Sequence, residues 1–148
     1  MKVGFPEKDL SLRSKAYGFA MVKHHGQVDD DNRDYLSAHI LNVVRILSMV
    51  TDDDDIICAA YLHDTLEDTD TTLEELTENF GPVIADLVNE VTHDGTNDEH
   101  GYYFPRLHTK KAIMLKFADR LSNLSRMDSW NDKRQQQYLR KSKFWNDK

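Results

Sequence analysis

The sequence predicts an all-α fold, and three observations carry that prediction. Three prolines and six glycines in 148 residues leave few places where a helix must break. No segment sustains the period-two alternation of a half-buried strand. Residues 34–50 place apolar side chains at 36, 40, 43, 44, 47 and 50, the stripe of an amphipathic helix. The length suits one core, so 1–148 is expected to be a single domain.

The elements follow in order. Residues 11–25 read as a first helix ending near Gly26, and 29–34 as a polar loop before the 34–50 helix. Asp52 to Asp55 can cap the next helix, because carboxylates favour a helix N-terminus. That helix carries Ile56, Ile57, Ala59, Ala60 and Leu62 and is expected to be buried. Thr71 or Thr72, followed by Glu74 and Glu75, marks a cap with an acidic first turn and a short helix to Phe80. Gly81-Pro82 stops it and starts another, from 83 to about 91. Residues 93–105 are rich in Gly, Asn and Asp and read as a loop. A long helix is expected over 107–127 and a last one over 131–144.

The remaining composition narrows the class. The longest uninterrupted apolar run, 56–62, is seven residues, too short to span a membrane. Residues 1–10 lack the hydrophobic stretch of a secretory signal. The lone cysteine, Cys58, excludes a disulfide framework and a cysteine-based zinc site, so a reducing cytoplasmic setting is expected. The net charge of −7 hides a split: residues 1–105 balance to −15 and residues 106–148 to +8. The acidic part argues against duplex nucleic acid as a partner. The basic part can line a pocket for a small phosphorylated ligand, or form a solvated helical face.

The candidate chemistry lies on the apolar helices. His63-Asp64 ends the most apolar one, and an imidazole buried beside a carboxylate needs a partner or a metal. His39 shares the stripe of Val43, Ile46 and Val50 and so faces inward. Asp119 is surrounded by apolar residues in Lys116-Phe117-Ala118-Asp119-Arg120-Leu121. Nitrogen and carboxylate oxygen without sulfur suit Mn²⁺, Fe²⁺ or Zn²⁺, and such an ion supplies a nucleophile by acidifying water. Taken singly, each group also reads as a partnered buried histidine or a capping aspartate.

His63-Asp64-Thr65-Leu66-Glu67-Asp68-Thr69 resembles the HD-domain signature of the RelA/SpoT-type alarmone hydrolases, small stand-alone members included. The likeness covers most of the chain. It takes in 19–27 with His24-His25-Gly26-Gln27, Ser37-Ala38-His39-Ile40, the helical pair from Asp70 to Thr92, and Lys116 to Leu124. His93-Asp94 is a second such dipeptide in a polar loop and reads as a decoy. The resemblance implies a compact HD-domain helical bundle with a metal site between helices. In it, His39, His63, Asp64 and Asp119 would bind one divalent ion, usually Mn²⁺. Glu67 and Asp68 would handle protons, and Lys116, Asn123, Arg120 and Arg33 would reach substrate. Asp64, Glu67 and Asp68 stand at i, i+3 and i+4, one helical face. Lys116 and Asn123 likewise share a face with Asp119.

The activity so implied is removal of the 3′-pyrophosphate from a ppGpp-like alarmone, a small phosphorylated nucleotide of the stringent response. The chain is too short for a synthetase domain as well, so only hydrolysis is expected. Two departures stand out. Asp29-Asp30-Asp31 replaces the basic loop of the family, leaving Arg33 as its cation, and Ile40 replaces a proline. Tyr102, Tyr103 and Phe104 stand where the family tends to be basic, and their rings could stack a base or pack as a hydrophobic loop. The acidic loop is expected to be solvated; it also motivates two alternatives, another nucleotide substrate or a non-catalytic nucleotide-binding module. Oligomeric state is not legible in the sequence.

Overall fold

A computed structural model describes residues 7–93 and 107–142, and among these the regular structure is helical. The aromatic trio at 102–104, Asp94, and the expected end of the last helix near Phe144 lie outside the described residues. Helix α1 spans Glu7–Lys23. It starts a turn before the expected residue 11, because residues 7–10 hold one apolar side chain and show no periodicity. Gly26, at φ 83°, turns the chain away after α1. Loop 27–34 closes on itself through a bridge between Val28 and Asp34. Asn32 takes the left-handed conformation there (φ 62°), which its short polar side chain tolerates.

The expected 34–50 helix divides. Leu36–Ile40 is a π-helical turn, and α2 continues from it as Leu41–Ser48. Leu36, Ile40, Val43, Val44 and Leu47 are buried as the stripe requires. Val50 is not: the helix ends at Ser48, the chain turns, and Val50 is 70% exposed. Helix α3, Asp54–Leu62, is capped as expected, with the Ile56 N–H donating to Asp53 Oδ1 at 3.1 Å. It packs against α1, α2, α6 and α7 and is the centre of the core. Ala59 and Ala60 are fully buried, and side chains this small let neighbouring helices approach closely.

Helix α3 stops at Leu62. Asp64, at φ −100° and ψ 0°, leaves the helical basin before the short α4, Thr65–Asp68. The i, i+3, i+4 face survives the break, because the Asp68 N–H still reaches the Asp64 carbonyl at 2.9 Å. Helix α5, Leu73–Phe80, is capped by Thr72, which accepts from the Glu75 N–H. Gly81 (φ 87°) makes the corner into α6, Pro82–Val91. Helix α7 is Lys110–Leu124, shorter than expected at both ends. Thr109 caps it, and the Glu90 carboxylate accepts from the His108 and Thr109 N–H groups at 2.7 and 2.6 Å, holding 107–109 out of the helix. Helix α8, Asp132–Ser142, follows Asn131, whose side chain accepts from the Arg134 N–H. No described helix is long and apolar enough to cross a membrane.

Candidate metal centre

Three helical segments deliver four ligand-type side chains to one point. His39 comes from the π-turn, His63 and Asp64 from the α3–α4 break, and Asp119 from the middle of α7. One ligand atom from each lies within 4.8 Å of all the others. His39 Nε2 is 3.0 Å from Asp119 Oδ1 and 3.3 Å from Asp64 Oδ2; His63 Nε2 is 3.4 and 3.2 Å from the same two oxygens. The two Nε2 atoms face each other at 3.2 Å.

The far sides of the rings fix the tautomers. His63 Nδ1 lies 2.6 Å from the Ala60 carbonyl, which only accepts, so Nδ1 carries the proton. His39 Nδ1 lies 2.9 Å from Ser122 Oγ, which takes a hydrogen bond from Asn42 and turns its own hydroxyl toward the His39 carbonyl. His39 Nδ1 is then the donor as well. With Nδ1 occupied by its own partner in both rings, the two Nε2 atoms aim at the same point, beside two carboxylate oxygens. Four electron pairs converging in a buried pocket require positive charge between them, from protons or from a cation. The donor set and its spacing therefore fit a divalent ion of the Mn²⁺, Fe²⁺ or Zn²⁺ type.

The electrostatics agree. Burial opposes charge on every member, but the carboxylates hold His63 well above its ordinary pKa and His39 above it. Burial likewise acts to raise Asp64 and Asp119, and their cationic neighbours outweigh it, holding both well below the usual carboxylate range. For Asp64 the main opposing neighbour is His63; for Asp119 it is Lys116. Lys116 is itself buried, with Nζ 3.4 Å from Asp119 Oδ2, and burial pushes its ammonium pKa down. The Tyr35 hydroxyl donates to Asp64 Oδ2 at 2.7 Å. Burial and that carboxylate raise the Tyr35 pKa far enough to keep it a phenol.

The remaining expected residues are distributed unevenly. Glu67 and Asp68 lie on α4 at the edge of the cluster. Glu67 Oε1 accepts from the His93 N–H at 2.7 Å, so the supposed decoy dipeptide meets the site through its backbone. Asp68 Oδ2 accepts from Gln27 at 3.3 Å; loss of hydration and the nearby Asp64 raise its carboxyl pKa. Arg120 and Asn123 both donate to the Tyr138 hydroxyl of α8, at 3.2 and 2.6 Å. Arg33 binds Asp29 and Asp31 within its own loop.

The acidic loop is solvated over residues 30–34, but the Asp29 side chain is not. Asp29, whose side chain is 4% exposed, takes Arg33 and Arg126 at 3.0 Å each. Asp31 takes Arg33 and Ser129, and Asp30 takes Arg134. The expectation of solvation fails only at Asp29, whose partner Arg126 lies 97 residues away, where no local pattern reveals it. Tyr35, Ser122, Gln27 and Tyr138 carry no local signal either, since each acts through a long-range contact.

The chain matches the HD domain family over residues 16–99. It is 36% identical over 150 residues to the guanosine-3′,5′-bis(diphosphate) 3′-pyrophosphohydrolase MESH1 of Xenopus tropicalis, covering 88% of this chain and 80% of that protein. It is 41% identical over 118 residues to the guanosine-3′,5′-bis(diphosphate) 3′-pyrophosphohydrolase of Aquifex aeolicus (strain VF5), covering 74% of this chain but only 17% of that protein. A solved structure of a metazoan ortholog of SpoT that hydrolyzes ppGpp aligns with a TM-score of 0.79 at 30% identity, over 95% of this chain and 85% of that one.

Proposed function

The chain belongs to the HD-domain family, and from that premise we propose that it is a metal-dependent phosphohydrolase removing the 3′-pyrophosphate of a ppGpp-like alarmone. The observation that carries the proposal is the convergence of His39 Nε2, His63 Nε2, Asp64 and Asp119 on one buried point, with both histidine tautomers fixed from behind. These four are the proposed ligands of one divalent ion, Mn²⁺ first, with Fe²⁺ and Zn²⁺ as alternatives. The ion's contribution is to acidify water and draw charge from the phosphoryl group.

The protein's own groups do the rest. In the overall step a water oxygen bonds to the 3′-phosphorus, the P–O3′ bond breaks, and pyrophosphate and a 3′-hydroxyl result. Glu67 and Asp68 take the water's proton and return one to the 3′-oxygen; loss of hydration and the nearby Asp64 raise the Asp68 pKa, which makes it a better proton acceptor than an ordinary carboxylate. Lys116, buried beside Asp119, offsets charge developing on the bridging oxygen. Arg120 and Asn123, both hydrogen-bonded to Tyr138, are the further α7 residues we assign to substrate. The acidic loop gives no support to a different nucleotide, since its carboxylates are engaged by arginines and a serine.

A panel of ppGpp, an adenine counterpart and simple nucleoside phosphates, with and without Mn²⁺, tests the reading. Release of pyrophosphate from ppGpp only with metal is expected. Release of orthophosphate, or turnover of the adenine compound in preference, would overturn the assignment.

A further inference from the structure

The turn that follows α1 carries a hydrogen-bonded pair that the proposed reaction has not used. His24 is 1% exposed. Its Nδ1 lies 2.7 Å from Gln27 Oε1, and Gln27 Nε2 donates to Asp68 Oδ2 at 3.3 Å. The other ring nitrogen, His24 Nε2, is buried and has no hydrogen-bond partner among the described residues. The ring lies 5.6 Å, centroid to centroid, from Tyr35, the residue that holds Asp64. The Gln27 backbone is pinned on both sides: its N–H donates to the His24 carbonyl, and its carbonyl accepts from the Tyr35 N–H, each at 2.9 Å.

These contacts permit one orientation of the amide. Gln27 Oε1 only accepts, so His24 Nδ1 carries the proton and Nε2 is a bare lone pair. Inverting the amide would turn its oxygen toward the Asp68 carboxylate. It would also move the His24 proton to Nε2, burying an unpaired N–H with the full desolvation penalty of that donor. The Asp68 carboxylate, which only accepts, thus sets the amide, and the amide presents a donor to it.

We propose that His24 and Gln27 are positioning residues for Asp68: they hold its Oδ2 and leave Oδ1 to exchange the reaction's proton. The proposal rests on the reading of Asp68 as an acid–base group. The groups around that carboxylate are Asp64 and Glu67 on the α3–α4 side and His24 and Gln27 from the turn after α1.

The test is a double-mutant cycle on the Mn²⁺-loaded full chain with ppGpp. Gln27→Met keeps the length of the side chain and removes both hydrogen bonds. It should lower kcat about 10- to 100-fold, the scale of a displaced catalytic group, with KM and the Mn²⁺ requirement unchanged. In an Asp68→Asn background the same change should add nothing. His24→Phe should match Gln27→Met. His24→Asn, which puts an amide donor where Nδ1–H stands, should restore much of that loss and keeps the test open if Gln27→Met fails to fold. Equal losses from Gln27→Met in both backgrounds, or an unchanged kcat, would overturn the pair's role. Undiminished turnover in Asp68→Asn alone would instead remove Asp68 from the chemistry, and the proposal with it.

Discussion

Each proposed ligand side chain is held by a second group: Ala60 on His63, Ser122 on His39, Tyr35 on Asp64 and Lys116 on Asp119. Such outer contacts orient a ligand and set its basicity, and their loss typically costs about 10- to 100-fold in metal affinity. Tyr35→Phe is therefore expected to raise the Mn²⁺ concentration for half-maximal activity by about that factor. Isothermal titration with Mn²⁺ measures it directly, and an unchanged affinity would show the hydroxyl to be structural. Asp119→Ala should cost more, since it removes a proposed ligand. Glu67→Gln and Asp68→Asn should separate chemistry from binding: Mn²⁺ affinity holds while turnover falls about 10²- to 10⁴-fold. Glu67→Gln keeps an oxygen for the His93 N–H, so its loss can be read as chemical rather than as a freed loop. The four proposed ligands were legible because an imidazole or carboxylate stands out on an apolar face. Their supports were not, because a tyrosine, a serine or a carbonyl has no such signal in one sequence.

At the scale of elements, the well-read helices are those with strong local ends. Asp53 and Thr72 cap α3 and α5 through their side chains, and Gly81-Pro82 separates α5 from α6. The π-turn at Leu36–Ile40 was not legible, because one extra residue in a turn leaves the apolar spacing nearly intact. Yet it presents His39, and π-turns frequently mark functional sites. The end of the apolar helix at His63-Asp64 was legible, because the apolar run stops at Leu62; the restart as the short α4 at Thr65 was not. Two glycines give a contrasting stability prediction. Gly81 sits at φ 87° and ψ 164°, a region nearly closed to other residues, with no atom near its Cβ direction. Gly81→Ala should destabilise by about 1–3 kcal/mol through backbone strain alone. Gly18 lies inside α1, also with open space around it, and Gly18→Ala should stabilise by about 0.5–1 kcal/mol. Urea unfolding of both variants decides the matter; shifts of the same sign would contradict the backbone argument.

At the scale of the whole molecule, the split between an acidic 1–105 and a basic 106–148 is resolved within the chain. Arg126, Ser129 and Arg134 reach from beyond α7 to the 29–31 loop, and Tyr138 of α8 closes over Arg120 and Asn123. The clasp joins the segment leading into the π-turn to the end of α7, so it braces two of the ligand-bearing elements against each other. Its members differ in worth. The Asp30–Arg134 pair is exposed and should contribute about 0–1 kcal/mol. Asp29 is buried: burial alone would raise its carboxyl pKa, but the N–H groups of Arg33 and Asp31 and the guanidinium groups of Arg126 and Arg33 outweigh it and lower it. A carboxyl more acidic in the folded than in the unfolded state contributes stability that is fully present above the unfolded pKa and lost as pH falls through the folded one. Asp29→Asn keeps the oxygen that accepts from Asp31 and Arg33 N–H groups but turns an amide toward two cations. The variant should be less stable at pH 7 by about 1–3 kcal/mol. The gap to the unsubstituted protein should narrow only as pH drops below about 4, where the unfolded carboxyl protonates. Asp30→Asn should show almost no gap at either pH. Urea unfolding of the three proteins at pH 7, 4 and 3 makes the comparison, and a gap for Asp29→Asn that stayed constant down to pH 3 would mean that its charge does not hold the clasp.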